Sequence, residues 1–280
     1  MTGLRRWWRL WRALIHVLIA VFKVALLYPH WPVSRRRVEV RAWAQTALEI
    51  FGVRTCIAGR STAPSQPCML VANHVSWLDV FVILSFADAR FVAKAQVARW
   101  PLVGGLARAL GTVFIDRSAR ASAAATNAMV RGLFFEKSTV CIFPEGTTTD
   151  GSMIKVFRAP LLQAAIDQAV DIQPIALRYV RPDGSPGTEA AFTGEMSLLR
   201  SLWMLAGCSA LRTDITLLTP VGAADFNRHD LANQLQRSIA SHLDVPCEAG
   251  TRTRSCGSHA MTAAFAGATA ACRASSIDLA

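Results

Sequence analysis

The chain has few charged residues and no cysteine spacing of the kind that holds a metal. Charged side chains make up 18% of the 280 residues and hydrophobic ones 52%, whereas about a quarter of a typical soluble domain is charged. The seven cysteines are scattered and none form a CxxC pair, which argues against a zinc site and a disulfide framework. No lysine-rich tract is present that would favour nucleic acid as partner of a chain with net charge +11. The missing lysine tract, together with the arginines described next, favours a membrane surface as the anionic partner.

The arginines concentrate at the amino terminus, where they alternate with tryptophan. Residues 4–15 read LRRWWRLWRALI, and helical spacing places Arg5, Arg9, Arg12 and His16 on one stripe with tryptophans on the other faces. Such a pattern is typical of a helix in the lipid headgroup region, so we expect the stripe to meet anionic lipid.

The apolar run that follows is short for a membrane span. As a helix, residues 13–28 would extend roughly 24 Å, against ~30 Å of hydrocarbon. A shallow, monotopic helix therefore fits better than a true span, and no small-x-small cleavage site follows to indicate a signal peptide. Arginines flank the run on both sides, so positive charge does not select an orientation.

The remainder of the chain divides into a second helix, a patterned middle and an unpatterned tail. Pro32 is expected to end the first helix, and Ser34 to cap a second one running to about Phe51. Short apolar runs then alternate with amphipathic stretches, which predicts an α/β domain. Strands are predicted at 69–72, 91–93, 112–115, 139–143, 172–179 and 215–221. Helices are predicted at 78–86, 102–110, 119–135, 159–169, 196–205 and 231–242.

Three parts follow from this reading of the composition. Residues 1–52 are predicted to form membrane-associated helices, and residues 53–245 the α/β domain. Beyond residue 246 the sequence turns to Ala, Thr, Ser, Gly and Cys without apolar periodicity. The segment 246–280 is therefore predicted to be disordered.

The sharpest chemical feature is the segment Asn73-His-Val-Ser-Trp-Leu-Asp79, directly after a predicted strand. On one continuous helix, His74 and Asp79 would diverge by ~140°. They can meet only if His74 lies in the loop and Asp79 in the first helical turn. Asp79 would then fix the imidazole tautomer and leave the other ring nitrogen free as a base. The alternative is that Ser76 and Asp79 form only a capping box, with His74 an ordinary loop residue.

Two further segments end in polar residues that suit an anionic or hydroxylic ligand. Residues 111–117 read as a strand that delivers Arg117 to the rim of the sheet, where guanidinium could bind phosphate; alone, such an arginine is more often in a surface salt bridge. Residues 143–147 read Phe-Pro-Glu-Gly-Thr, a turn in which Glu145 could bind a substrate hydroxyl. Backbone N–H groups near Gly146 could face an anion there, although the same residues also suit an ordinary turn.

A fourth segment, residues 172–177, is apolar around Pro174. Proline cannot donate to a strand ladder, so Pro174 suggests a sheet edge or a loop junction. The alternative is a plain core strand.

In this order and spacing, the four segments resemble the glycerolipid acyltransferase family typified by 1-acylglycerol-3-phosphate acyltransferase. That family carries an N-H-x4-D block, a G-x-x-F-I-x-R block, an F-P-E-G block and a later apolar block around proline, all found here between residues 65 and 220. The resemblance implies an α/β domain with a single mixed sheet flanked by helices and preceded by membrane-associated helices. It also implies that His74 deprotonates the acceptor hydroxyl while Asp79 orients it.

The same resemblance implies the partners and the rest of the site. The acceptor is a lysolipid, the co-substrate is acyl-CoA or acyl-carrier protein, and no metal, cofactor or nucleic acid is expected. A thioester is already reactive, so a base, donors for the oxyanion and alignment are enough. The implied location is the cytoplasmic side of the cell inner membrane. The implied substrate-binding residues are Asn73, Lys94, Arg117, Glu145, Gly146 and Thr147.

One position departs from the family pattern. Members that act on phosphate-bearing acceptors usually carry arginine after Phe-Pro-Glu-Gly-Thr, and this chain has Thr148. Lys94, Arg117 and Arg158 are other cations that could bind phosphate. The sequence therefore supports synthesis of phosphatidic acid from 1-acylglycerol-3-phosphate first, with acylation of lyso-ornithine lipid or another lysolipid as the alternative. A non-enzymatic membrane scaffold or nucleic-acid binder would not explain the spacing of these blocks.

Overall fold

The computed structural model describes residues 2–59, 66–115, 120–224 and 226–249. This part of the chain contains seven strands, eight α-helices and four short 3-10 helices. The strands are β1 (Val53–Gly59), β2 (Cys68–Ala72), β3 (Ala89–Lys94), β4 (Val113–Ile115), β5 (Thr139–Ile142), β6 (Asp171–Val180) and β7 (Leu211–Leu217). The helices are α1 (Thr2–Leu26), α2 (Val33–Ile50), α3 (Leu78–Leu84), α4 (Val103–Ala109), α5 (Arg120–Phe135), α6 (Gln163–Asp167), α7 (Leu198–Gly207) and α8 (Arg228–Leu243).

The strands form one mixed sheet in the order β1-β7-β6-β2-β5-β3-β4. β6 and β7 are antiparallel, and the other neighbouring pairs are parallel. The predicted fold class, a single mixed sheet flanked by helices, is confirmed. In β2, Leu70 belongs to the apolar cluster formed with α2, α3 and α7, while Val71 belongs to the cluster formed with α5, α6 and α8. A strand buried on both faces reads as an unbroken apolar run, which explains the sequence of β2.

Helix α1 packs against the protein through a face that carries basic residues together with Leu10, Ala13 and Ala20. Arg5 Nη2 donates to Gly207 O at 2.6 Å, and Arg9 Nη1 donates to Cys208 O at 2.5 Å. These carbonyls at the carboxyl end of α7 lack partners within the helix, and cations are favourable there. His16 Nε2 is bonded to Trp43 O at 2.9 Å. The expectation that this stripe meets lipid headgroups is therefore wrong for Arg5, Arg9 and His16, while Arg12 is exposed.

Near the amino terminus the structure differs from the prediction in the cap of α2 and in the presence of strand β1. The residue that caps α2 is Pro32, in extended conformation and without a side-chain bond, rather than Ser34. Strand β1 was not predicted, because most of its side chains are exposed and its sequence, VRTCIAG, has neither an apolar run nor alternation. It lies at the sheet edge beside β7.

No helix in the described ranges is both long enough and apolar enough to cross a bilayer.

Pro174 lies inside the sheet, in the plain core strand that was the alternative to an edge or a loop junction. β6 is paired on one side with β2 and on the other with β7. The antiparallel ladder has one extra residue opposite Pro174, because Ile175 pairs with Leu217 whereas Ile172 pairs with Val221. Such a bulge is where a sheet tolerates proline. Gln173 Nε2 donates to Leu218 O at 2.6 Å and so satisfies a carbonyl of the bulged strand.

The carboxyl end of the folded part extends past the predicted boundary at residue 246. Ile154 N donates to Pro246 O at 3.0 Å, and Glu248 N donates to Ile154 O at 2.9 Å. These residues belong to the same compact unit as the sheet, so disorder was wrongly predicted for 246–248. The prediction for residues 250–280 lies outside the described residues.

Candidate active site

The loops after β2 and β5 meet at the carboxyl edge of the parallel strands. The two strands are neighbours in the sheet, and ligand sites of open α/β sheets form at this edge. The first loop carries His74 and leads into α3, with Asp79 in its first turn. The second loop carries Glu145, three residues after the last residue of β5.

His74 and Asp79 are in direct contact. His74 Nδ1 lies 2.8 Å from Asp79 Oδ2, which is the arrangement that the spacing required for the two side chains to meet. The Asp79 side chain is fully buried and that of His74 is 19% exposed. The Phe143 ring stacks on the imidazole at 4.1 Å between centroids and so fixes its plane. With Nδ1 donating to the carboxylate, Nε2 is the nitrogen left to accept a proton.

The Asp79 carboxylate accepts four hydrogen bonds. Besides His74, Oδ2 accepts from the backbone N–H of Val75 at 2.7 Å and of Ser76 at 2.9 Å. Oδ1 accepts from the Tyr179 hydroxyl at 2.7 Å. A buried carboxylate needs this many donors to offset its lost hydration. The alternative reading of Ser76 and Asp79 as only a capping box is half met, because Asp79 accepts from Ser76 N but Ser76 Oγ accepts from Leu78 N at 3.3 Å. The residue that precedes α3 is Trp77, which makes no side-chain cap bond.

Tyr179 is a site residue that the sequence analysis missed. It lies on β6, 100 residues from Asp79 along the chain, in a strand segment that otherwise reads as apolar core. Burial, and then the negative charge of Asp79, raise the pKa of Tyr179 well above its ordinary value. The hydroxyl therefore remains a donor to the carboxylate. The one available signal was a rare residue type, since the chain has two tyrosines.

Asn73 binds the neighbouring strand. Its Nδ2 donates to Leu177 O at 2.9 Å, and its Oδ1 accepts from Leu177 N at 2.8 Å. The side chain is fully buried, so this geometry does not support the predicted contact with substrate. Asn73 instead fixes the start of the His74 loop against β6.

Glu145 also binds backbone groups. Its Oε1 accepts from His74 N at 2.7 Å and its Oε2 from Lys155 N at 3.0 Å. The carboxylate is buried, so the arrangement favours a positioning role over the predicted contact with a substrate hydroxyl. Burial raises the pKa of Glu145 to about 7, and the two backbone N–H groups oppose that shift.

The turn at Gly146 differs from the prediction in one respect. Gly146 has φ +71°, a left-handed conformation that favours glycine. Its N–H donates to Phe143 O at 3.0 Å. That N–H is therefore committed to the turn and does not face an anion.

Of the remaining predicted residues, the structure describes Thr147 and Lys94. Thr147 follows the Glu145 turn and is exposed, and Lys94 is exposed at the carboxyl end of β3. Arg117 lies outside the described residues, two positions after β4 ends at Ile115. Within the described ranges, no His, Cys, Asp and Glu side chains cluster as metal ligands would.

The fold and the site define the chemical class. A loop imidazole, oriented by a buried carboxylate and partly open to solvent, is built to remove a proton from a hydroxyl. The sheet edge places that imidazole where substrates of α/β enzymes bind. These features are those of a general-base transferase or hydrolase.

Comparison with known proteins narrows this class. The Acyltransferase family matches residues 54–178. A lyso-ornithine lipid O-acyltransferase from Pseudomonas aeruginosa is 38% identical over 192 residues, 69% of this chain and 73% of that protein. A 1-acyl-sn-glycerol-3-phosphate acyltransferase from Neisseria gonorrhoeae is 31% identical over 211 residues, 74% and 81% of the two chains. The crystal structure of PlsC, the 1-acyl-sn-glycerophosphate acyltransferase from Thermotoga maritima, has the same fold, with TM-score 0.63, 19% identity and coverage of 87% and 97%.

The chain belongs to the glycerolipid acyltransferase family, as its four sequence blocks predicted. It is an acyltransferase of lysolipids.

Replacing Tyr179 by phenylalanine should lower kcat with little change in KM. The variant loses one hydrogen bond to the buried Asp79 carboxylate, an interaction of about 1.5–3 kcal/mol. We expect kcat to fall by roughly tenfold or more. Acyl transfer to a lysolipid measures the effect, and Tyr28→Phe, the other tyrosine, is the control. Equal kcat values for the two variants would remove Tyr179 from the site.

Stability should depend on the protonation of Glu145. Its folded pKa, about 7, lies above the ordinary value, so the native state binds the proton more tightly than the unfolded chain. The stabilisation is full below about pH 4.5 and is lost as the pH rises through about 7, a change of about 3 kcal/mol. In urea unfolding, the free energy of unfolding of the wild type should fall as the pH rises through this range. Glu145→Gln should lack this contribution. If the free energy of unfolding changed with pH in the same way for both proteins, the prediction would be wrong.

Proposed function

We propose that His74 and Asp79 transfer a fatty acyl group from a thioester to the free hydroxyl of the lysolipid. The observation that carries this proposal is the bond between His74 Nδ1 and Asp79 Oδ2. His74 Nε2 accepts the hydroxyl proton while the hydroxyl oxygen attacks the thioester carbonyl. The tetrahedral intermediate then loses its C–S bond, and the leaving thiolate takes the proton from the imidazolium. Asp79 stabilises the imidazolium between the two steps.

The donor that fits this mechanism is acyl-CoA or acyl-carrier protein, and the reaction needs no metal or cofactor. A thioester supplies the leaving group, so the protein has to provide the base, the alignment and stabilisation of the oxyanion. Both backbone groups of His74 are bonded: its O accepts from Thr149 N at 2.8 Å, and its N–H donates to the Glu145 carboxylate at 2.7 Å. A rigid loop suits a residue that must be aligned with two hydrophobic substrates, the acyl donor and the lysolipid.

We infer that the acceptor is lyso-ornithine lipid. Thr148 occupies the position at which phosphate-acting members usually carry arginine, and its Oγ1 donates to Phe192 O. The position therefore supplies a neutral side chain that is bonded within the fold. An ornithine headgroup carries an ammonium group as well as a carboxylate, so it has less need of a cation there. The 38% identity to the lyso-ornithine lipid enzyme supports the same acceptor.

The second candidate acceptor is 1-acylglycerol-3-phosphate, whose product is phosphatidic acid. The sequence favoured this acceptor over lyso-ornithine lipid. The similarity to the Neisseria gonorrhoeae enzyme over 74% of this chain favours it. Lys94, exposed beside the site at the end of β3, is a cation within the described ranges that would suit a phosphate.

A membrane location suits either acceptor. The face of α1 opposite to its arginines carries exposed tryptophan and aliphatic side chains, as a helix lying in a bilayer interface would. We propose that α1 holds the enzyme on the cytoplasmic side of the inner membrane, where a soluble thioester donor and a membrane lysolipid meet.

His74→Ala should abolish acyl transfer while the protein stays folded. The imidazole lies in a loop and packs mainly against Phe143, whereas general-base catalysis contributes roughly 10²–10⁴-fold. Asp79→Asn should lose turnover of the same order, because an amide does not neutralise the imidazolium. Turnover and thermal unfolding are measured on the same preparations. A stable and fully active His74→Ala protein would refute the mechanism.

Thr148→Arg should shift the acceptor preference toward phosphate. A charge-assisted bond contributes ~1.5–3 kcal/mol, so kcat/KM for 1-acylglycerol-3-phosphate relative to lyso-ornithine lipid should rise by roughly tenfold or more. Thr148→Val, which removes the hydroxyl without adding charge, is the matched control. The ornithine assignment falls if the wild type already prefers 1-acylglycerol-3-phosphate.

A further inference from the structure

Helix α7 exposes an apolar face that the mechanism does not use. Leu199 is 79% exposed and Trp203 is 38% exposed, one helical turn apart, with exposed Arg200 beside them. The opposite side of α7 is buried through Ser201 and Leu205. The helix is therefore amphipathic, and its outer face presents a leucine, an arginine and a tryptophan.

This face is continuous with the exposed face of α1. The Trp7 and Trp203 rings meet edge to face at 5.4 Å, and the Arg6 guanidinium lies 5.2 Å from the Trp203 ring centroid. Arg5 and Arg9 bind the carboxyl end of the same helix. The two helices are thus held together by contacts that leave both apolar faces outward.

The surface formed by α1 and α7 has the chemistry of a bilayer interface. Trp7, Trp8 and Trp11 are exposed along α1, and the exposed Arg12 and Arg200 supply positive charge. Tryptophan lies at the headgroup level of membranes, and arginine binds anionic headgroups. The face continues along α1 through Leu14, Leu18, Phe22 and Leu26.

We propose that α7 lies on an anionic bilayer beside α1, with Leu199 and Trp203 entering the lipid. This inference rests on the proposed membrane location of the enzyme and adds a second contact element to it. Helix α7 is also bonded to the loop that carries His74, because Trp77 Nε1 in that loop donates to Ser201 Oγ at 3.0 Å. Just before α7, Phe192 N donates to Val75 O at 2.9 Å. Binding of α7 to the bilayer would therefore set the distance of His74 from the membrane surface in which the lysolipid lies.

Vesicle sedimentation of the full chain tests the proposal. The paired change Leu199→Ala with Trp203→Ala should lower partitioning into phosphatidylethanolamine–phosphatidylglycerol vesicles by roughly tenfold or more. The matched control pair, Met129→Ala with Phe135→Ala, removes exposed apolar side chains from α5, which packs on the other face of the sheet. It should partition like the wild type. Circular dichroism and thermal unfolding check that both pairs are folded.

A milder variant keeps the test valid if the alanine pair fails to fold. Trp203→Phe retains an aromatic ring against Trp7, and it should reduce the fraction of tryptophan fluorescence that brominated phospholipid quenches. Quenching unchanged from the wild type would overturn the proposal.

Other outcomes separate this inference from the membrane location itself. If the α7 pair binds vesicles like the wild type while Trp8→Ala with Phe22→Ala loses binding, α7 is not a lipid contact and the α1 anchor stands. If the wild type does not bind vesicles, both proposals fail. If the α7 pair instead turns a dimer into a monomer in sedimentation velocity, the surface belongs to a second copy and the lipid proposal is overturned.

Discussion

The buried carboxylate of Asp79 is the group on which the site depends. An unpartnered charge at this depth would cost several kcal/mol, and four donors offset that cost here: His74, two backbone N–H groups of the same loop, and Tyr179 on β6. Because these donors come from different segments, the loop cannot shift without breaking several bonds at once. The same contacts that fix the loop before α3 therefore also hold the imidazole in one tautomer and one orientation. Local stability and catalytic geometry depend on a single residue.

The loops around Asp79 are fixed by bonds between the sequence blocks themselves. Asn73, from the first block, binds both backbone groups of Leu177 in the last block. Glu145, from the third block, accepts from the backbone of His74 in the first. Several residues of the family blocks thus hold the loops of the site in place, and in the proposed mechanism His74 is the group that these loops present to substrate. A rigid frame suits acyl transfer, where alignment of two substrates supplies a large part of the rate.

Helix α1 reverses the usual arrangement of a surface helix. Most such helices bury an apolar stripe and expose a polar one, whereas α1 turns Arg5, Arg9, His16 and Lys23 toward the protein. Their partners are carbonyls at the end of α7, a carbonyl of Trp43 and the carboxylate of Glu39. Arg5 and Arg9 contribute by binding carbonyls at the carboxyl end of α7 that would otherwise be unsatisfied. The tryptophans and many of the aliphatic residues are left exposed, and a contiguous exposed apolar face marks an interaction site.

By itself the sequence determined the α/β order of the domain, the meeting of His74 with Asp79 and the family, because each of these follows from spacing over a few residues. It did not determine β1, the bulge opposite Pro174, or the inward direction of Arg5 and Arg9 in α1. It also could not show that Asn73 and Glu145 bind backbone groups, or that Tyr179 completes the shell of Asp79 from 100 residues away. These features depend on which distant segments become neighbours in the sheet, and no local period carries that information. The tertiary structure alone decided them, because burial leaves each polar group only the partners that packing brings within reach.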